Sequence, residues 1–307
     1  MKILIVCSKN FGYISPFIIE QANALIKLGI EVEYSPIVGK GILGYLKNYY
    51  SLLKKIRSFK PDLVHAHYGL SGALAVLQRK VPVVITFHNG ETLSKSANFI
   101  SSLSSLLAEH TIYVAQHIYD LCYFKKKKAY SILACGVDVD NIKVINKETG
   151  ILESKLNNQK KYIIFGGSFN NLRKNYPLLQ DALSLLKRND IEVIEMKGLN
   201  RAQITNLMCA CDLFILPTKS EGSPQALKEA MACNCPIVAT DVADIKHLLG
   251  DLEGCYITSF DPKDVSESIT KALEFDKRTE GRKRIFELGL DSKTVALKIL
   301  EIYKSLQ

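Results

Sequence analysis

Short apolar runs alternate with helix-length amphipathic stretches along this chain, and the alternation runs through twice. Strands are expected at 3–7, 31–36, 62–67, 82–88, 111–115 and 130–134, with helical stretches between them. The first helix, at 16–28, carries Phe17, Ile18, Gln21, Leu25 and Leu28 and closes at Gly29, a residue that accepts the left-handed cap. Beyond Asp138 the chain turns polar, through Asn146–Gly150 and Lys155–Gln159, and a linker is expected at 146–160. The pattern then restarts: Tyr162-Ile163-Ile164-Phe165 reads as a strand, followed by a helix from Tyr176 to Arg188. A strand at 191–196, a helix at 201–209, a strand at 212–217, another helix and the strand Pro236–Ala239 complete it. Such alternation demands parallel sheets with helices on both faces. The expected class is therefore α/β, with two Rossmann-like doubly wound domains, 1–145 and 161–290, facing across a cleft. Residues 291–307 place Val295, Ile299, Tyr303 and Leu306 on one face of a closing helix.

Composition narrows the setting. A hydrophobic fraction of 47% and a charged fraction of 23% are those of a globular protein. The apolar runs are too short to span a bilayer. The N-terminus reads as a buried strand rather than a secretory leader, so a cytoplasmic location is expected. Cys209/Cys211 and Cys233/Cys235 are C-x-C pairs, not the C-x2-C knuckles of zinc sites, and are expected as reduced, buried thiols. Of the net charge of +9, residues 1–150 carry +8. Lys125–Lys128 supply part of it and the segment 41–60 another. In 41–60, Ile42, Tyr45, Leu46, Tyr49, Leu53 and Ile56 recur at helical spacing. That pattern fits a helix on an anionic membrane surface, peripheral to its inner face, and equally an amphipathic helix packed on a sheet. No recognition motif accompanies the basic residues, so nucleic acid is not an expected partner.

The chemistry-bearing residues cluster after strands. Leu213–Leu216 stops at Pro217, and Ser223 and Pro224 suit the N-cap and first position of a new helix. Glu221 then stands in the loop before that helix, beside Gly222, and Glu229 lies between one and two turns inside it. A helix N-terminus at a strand's carboxyl end attracts anions. Two carboxylates beside it suit a ligand that carries both phosphates and hydroxyls, such as a nucleotide sugar. Gly166-Gly167-Ser168 lets a ligand approach the backbone, with Arg173 and Lys174 offering charge to a diphosphate. In the first half, His65 and His67 share one side of a strand end, followed by Tyr68 and Gly69. His88 and Asn89 close the next strand, and Gly12 lies in the loop after the first.

The stretch from Glu221 to Glu229 resembles the E-x7-E motif of the retaining glycosyltransferases of family 4, whose fold is GT-B, in their bacterial polysaccharide-biosynthesis form. The resemblance implies that Glu221 contacts hydroxyls of the donor sugar and that Glu229 holds the nucleotide's ribose. It implies a pyrophosphate contact for Lys174. The arginine usual after the first glycine is replaced by Gly167, and Arg173 is the candidate to stand in for it. Thr86-Phe87-His88 resembles the family's T-x-H segment, whose histidine points toward the donor sugar. Asn89 departs from the glycine commonly found beside it. The stretch Asp62–Gly72 resembles a segment of the same enzymes and places His67 and Tyr68, with Asn89, on the acceptor side. Gly12 matches a loop near the donor phosphates, and Cys135-Gly136-Val137-Asp138 a C-G-V-D element of structural role. In the family the terminal helix returns to the first domain.

The implied activity is retaining transfer of a hexose-like unit from a UDP- or GDP-sugar to a carbohydrate or lipid-linked acceptor, for cell-surface polysaccharide or glycolipid. His88, Glu221 and Lys174 would be the catalytic groups, with Ser168, Ser223 and Pro224 completing the donor contacts. Neither metal nor cofactor is expected. The alternatives are a nucleotide-sugar epimerase or hydrolase on the same fold, and a non-catalytic nucleotide-sugar-binding subunit.

Overall fold

A computed structural model describes residues 1–39 and 41–307, except for the side chain of Ile42. In chain order it opens with β1 (Lys2–Ser8), α1 (Pro16–Lys27), β2 (Glu31–Ile37), α2 (Gly41–Leu46), α3 (Tyr49–Phe59) and β3 (Leu63–His67). Next come α4 (Gly69–Val76), β4 (Val83–Phe87), α5 (Lys95–Leu107), β5 (His110–Tyr113), α6 (Gln116–Leu121) and β6 (Tyr130–Ile132). The pattern continues with α7 (Lys147–Glu153), β7 (Lys161–Phe165), α8 (Tyr176–Leu186), β8 (Ile191–Glu195), α9 (Arg201–Ala210) and β9 (Leu213–Leu216). It closes with α10 (Gln225–Ala232), β10 (Ile237–Thr240), α11 (Ile245–Leu249), β11 (Cys255–Thr258), α12 (Pro262–Glu274), α13 (Gly281–Glu287) and α14 (Ser292–Lys304). Two compact units result: residues 1–136 with 292–307, and residues 137–291.

The first unit holds a six-stranded parallel sheet in the order β2-β1-β3-β4-β5-β6. Helices cover both faces, so its central strands β3 and β4 are buried along their whole length rather than at alternate residues. Along β1, Leu4 and Val6 belong to one core cluster, with Val64, Ala66, Ile85 and Phe87. Ile3, Ile5 and Cys7 belong to the opposite one, with α1 and with Val295, Ile299 and Tyr303 of α14. Strand parity therefore places His65 and His67 of β3, and Thr86 and His88 at the end of β4, on the α1/α14 face.

The second unit holds a five-stranded parallel sheet in the order β11-β10-β9-β7-β8. One face buries Ile163, Phe165, Leu213, Ile215 and Val238 against α8 and α12. In both sheets the first strand lies between the second and the third, so the winding reverses beside β1 and beside β7. Ligands of such sheets bind at the carboxyl ends flanking that reversal.

Two expectations are corrected here. The segment 146–160 holds α7, inside the second unit, rather than an open linker. Asn146 caps it by accepting from the Thr149 amide at 2.8 Å, and Gly150 lies so close to Ala210 that a Cβ would meet the Ala210 nitrogen at 2.9 Å. The segment 41–60 is two helices rather than one, divided where the Asn48 side chain bonds Val38 and Gly44. Of its apolar stripe, Ile56 is buried and Tyr45 and Tyr49 pack on the same core, which Leu52 also joins, whereas Leu46 is exposed and Leu53 only partly buried. The side chain of Ile42 lies outside the described residues. All eight cysteines are unpaired thiols, and those of the two C-x-C pairs are buried.

Candidate functional site

In the second unit the site is assembled by the two loops that leave β7 and β9. Gly166 follows β7, and a side chain there would collide with Phe214, whose ring a Cβ would meet at 2.7 Å. A Cβ on Gly167 would meet the stem of Lys174 at the same distance. The glycine at 167, where an arginine was expected, thus lets Lys174 run across the loop. Its Nζ reaches Glu221 Oε1 at 2.7 Å, and Arg173 reaches Glu221 Oε2 at 3.0 Å. Arg173 also donates to the Ser220 carbonyl at 2.6 Å. Thr218, fully buried, donates to Glu221 Oε1 at 3.0 Å, and its own carbonyl accepts from Thr240.

Glu221 is 7% exposed. Burial works against its charge, but Lys174 and Arg173 outweigh burial and hold the carboxyl below its usual range. Glu229, equally buried on the second turn of α10, forms an ion pair with Arg201 at the first position of α9.

The start of α10 differs from expectation by one residue. Pro224 occupies the cap position, with extended backbone, and no side chain caps the helix. The Ser223 hydroxyl is buried with no hydrogen-bond partner among the described residues. Gly222 is buried beside it. Ser168 stands apart from this cluster: its hydroxyl donates to Glu195 at 2.7 Å, and Glu195 also accepts from the Phe169 amide.

In the first unit, three imidazoles form a ladder. His65 Nε2 is 2.7 Å from Thr86 Oγ1, and His65 Nδ1 is 2.5 Å from the Tyr303 hydroxyl of α14. His65 stacks on His67 with ring centroids 4.5 Å apart, and His67 on His88 at 5.3 Å. His67 Nδ1 and His88 Nε2 lie 3.0 Å apart, so one carries the proton and the other accepts it. Burial drives the His65 and His67 imidazolium forms out, well below the usual histidine range, and neighbouring imidazoles add to the effect. Both are neutral at pH 7. His88 is half-buried between Phe17 and Tyr68, and the Cys135 thiol lies 3.8 Å from its Nδ1. The C-G-V-D cysteine is therefore a neighbour of His88.

Two non-glycine residues here hold left-handed backbone: Tyr68 at φ 73° and Asn89 at φ 112°. Such conformations cost energy and collect at functional sites. The Glu91 carboxylate holds both loops, accepting from the amides of Gly69, His88 and Asn89 at 2.9–3.0 Å. Burial still raises its affinity for a proton, against those three donors. A cavity of about 470 Å³ opens at the carboxyl ends of β1 and β3, lined among others by Asn10, Ser15, Tyr45, Tyr68, Glu91 and Ser101. Gly12 lies in the exposed loop above β1 at φ 86°, its amide donating to the Lys9 carbonyl.

The structure thus gathers Gly167, Arg173, Lys174, Glu221, Gly222, Ser223, Pro224 and Glu229 in one unit, and His67, Tyr68, His88 and Asn89 in the other. Thr218, Arg201 and Glu91 are not among the residues expected from sequence, and Cys135 was expected in a structural role only. Their signals were faint: a threonine two residues past a strand, an arginine opening a helix, an acid three residues after His88.

Comparison with known proteins covers both units. A family model described as "Glycosyl transferases group 1" matches residues 137–286, and one described as "Glycosyltransferase Family 4" matches residues 27–141. An uncharacterized glycosyltransferase of Methanocaldococcus jannaschii is 25% identical over 268 residues, covering 80% of this chain and 75% of its own length. The putative teichuronic acid biosynthesis glycosyltransferase TuaC of Bacillus subtilis is 26% identical over 250 residues, covering 71% of this chain and 62% of its own length. Among solved structures, Anabaena HepE in complex with UDP superposes with a TM-score of 0.78 at 17% identity, over 99% of this chain and 100% of that one. At that identity the match speaks for the fold.

Proposed function

The chain belongs to the glycosyl transferases of group 1 and family 4, with a GT-B fold, and on that premise we propose that it is a retaining, metal-independent transferase using a nucleoside diphosphate sugar. The donor would be a UDP- or GDP-hexose and the acceptor a carbohydrate or lipid-linked glycan of cell-surface polysaccharide or glycolipid synthesis. One observation carries this reading: Glu221, Lys174 and Arg173 interlock beside the start of α10, with Glu229 one turn further along. The cluster lies where the sheet reverses its winding. HepE, of the same fold, binds UDP.

A diphosphate reaching Lys174 and Arg173 competes with Glu221 for them. Exchange of partners frees the Glu221 oxygens to accept from sugar hydroxyls. Glu229 takes the ribose hydroxyls, and the Ser223 hydroxyl and the first amides of α10 meet phosphate oxygens. Breaking the anomeric bond leaves charge on the departing phosphate, and Lys174 with the helix N-terminus stabilises it. The departing phosphate accepts the proton of the incoming hydroxyl on the face it leaves, so no metal ion or protein nucleophile is needed. His88, held by His67 at Nε2 and by Glu91 at its backbone amide, offers Nδ1, on its Cys135 side, to a sugar hydroxyl. His67, Tyr68 and Asn89 stand on the acceptor side, and a lipid-linked acceptor would bring the protein to the inner face of a membrane.

Incubation with candidate nucleotide sugars, with and without a membrane lipid extract and with excess chelator, tests this reading. Acceptor-dependent, chelator-resistant release of nucleotide with retained anomeric configuration is expected. Acceptor-independent conversion would mean an epimerase or hydrolase, and binding without turnover a non-catalytic subunit.

A further inference from the structure

Helix α5 is packed inside out. Its buried residues are Asn98, Ser101, Ser102, Ser104 and Ser105. Its large apolar residues face water: Phe99, Leu103, Leu106 and Leu107 are each 45–50% exposed. A helix serving only as cover for a sheet would have the opposite arrangement. The serines are inside because the contact with α4 is close: a Cβ on Gly69 would meet Ser101 Oγ at 2.1 Å. Most of their hydroxyls are spent locally, Ser102 on Asn98 and Ser104 and Ser105 on carbonyls one turn back.

The stripe does not stand alone. The Asn98 amide donates to the Leu121 carbonyl and its Oδ1 accepts from the Tyr123 amide, which fixes the following loop against α5. Exposed Leu121 and Tyr123 thereby join the patch, and Phe124 sets its ring edge-on to Phe99 at 5.4 Å. Contiguous apolar surface of this kind marks a contact face. Its rim is basic. Residues 121–128 contain four lysines and no acid. Lys126 folds back onto the Ser105 and Glu109 carbonyls at the end of α5, whereas Lys125, Lys127 and Lys128 are exposed, as are Lys95 at the helix start and, beside its end, Arg79 and Lys80. Exposed Glu109 and Asp120 are the acids beside them. The whole unit holds 19 Lys+Arg against 8 Asp+Glu.

We propose that the outward face of α5, with Leu121, Tyr123 and Phe124, inserts into the headgroup layer of an anionic lipid membrane, its lysine rim pairing with lipid phosphates. An apolar stripe flanked by lysines suits that boundary. A second copy fits less well, because both ends of α5 are basic and either orientation of two copies would oppose like charges. This assigns a surface to the membrane contact named above, and it holds whether or not the protein transfers sugar.

Vesicle flotation tests it without reference to turnover. The full chain should float with vesicles containing about 30% phosphatidylglycerol and sink with pure phosphatidylcholine. Leu103→Ser/Leu106→Ser should lower the bound fraction at least ~10-fold with unchanged thermal unfolding, since both residues face solvent. Lys125→Gln/Lys127→Gln/Lys128→Gln should weaken binding by roughly fivefold per lysine and flatten its salt dependence. Leu43→Ser/Tyr50→Ser, on the 41–60 segment, should float like the native chain. Failure of the native chain to float, or equal flotation of the Leu103/Leu106 variant, overturns the proposal. So does a native dimer that this variant converts to monomer, which would make the face a self-interface. Loss of nucleotide release with flotation intact would overturn the catalytic reading alone.

Discussion

Glu91 shows how much one side chain can organise. Its carboxylate gathers three backbone amides from two loops, those of Gly69, His88 and Asn89. A glutamine in its place offers one acceptor oxygen and turns an N–H₂ toward amides that also donate. Glu91→Gln should therefore cost about 2–3 kcal/mol of stability, measured by denaturant unfolding, and lower kcat as the His88 loop loosens. A change under about 0.5 kcal/mol would contradict the bracing role. Asn89 explains the glycine usual at that place: at φ 112° a side chain is strained, and the Glu91 contacts hold it there. At this scale the sequence was informative about charge and poor about partners. Glu221, Lys174 and His88 could be picked out because strand ends announce themselves. Thr218 and Arg201 could not, because a threonine that turns back to Glu221 three residues on has no spacing of its own and Arg201 meets Glu229 only through the fold, while the structural role read for Cys135 gave no sign of its contact with distant His88.

Elements were legible where periodicity was strong and misread where capping decided. Each of the ten expected strands appears within two residues of its expected bounds, helped by the apolar runs of the buried ones, whereas β11 at Cys255–Thr258 was not expected. Asn146–Gly150 is polar enough to read as linker, although Asn146 is itself a favoured N-cap residue and caps α7 by accepting from the Thr149 amide. The start of α10 erred the other way. Ser223 has the composition of a cap but does not cap, since Pro224 holds that position. The consequence can be measured. Ser223→Ala should leave thermal stability within about 0.5 kcal/mol, where loss of a true cap costs about 1 kcal/mol. It should also weaken nucleotide-sugar binding. A clear loss of stability with donor binding unchanged would return Ser223 to a purely structural role.

At the scale of the molecule the two units differ in charge and in titration. The first holds the excess of cations, while the second holds 21 Lys+Arg against 23 Asp+Glu. Five of the six histidines lie in the first unit. Burial keeps His65 and His67 neutral, and burial with Lys126 nearby lowers His110 to about 4. Each such imidazole takes up its proton on unfolding before it does so in the folded protein. Stability is therefore complete above about pH 6.5 and is lost as the pH falls below it, by up to about 1.4 kcal/mol per pH unit for each fully buried histidine. Glu221, with its depressed carboxyl, adds a loss in the same direction at lower pH. Thermal unfolding followed from pH 7.5 to 5 should show a falling midpoint, and His67→Asn should make the fall shallower. A midpoint independent of pH would contradict the buried, neutral ladder.

Donor binding by the second unit is proposed to run through Lys174, Glu221 and Glu229. Calorimetric titration of the full chain with UDP- and GDP-sugars, repeated on Lys174→Ala and Glu229→Ala, tests it most directly. Saturable binding of one such sugar is expected, weakened roughly 10- to 100-fold in each variant, since each removes charge-assisted hydrogen bonds. Equal affinity in the native chain and both variants would contradict it.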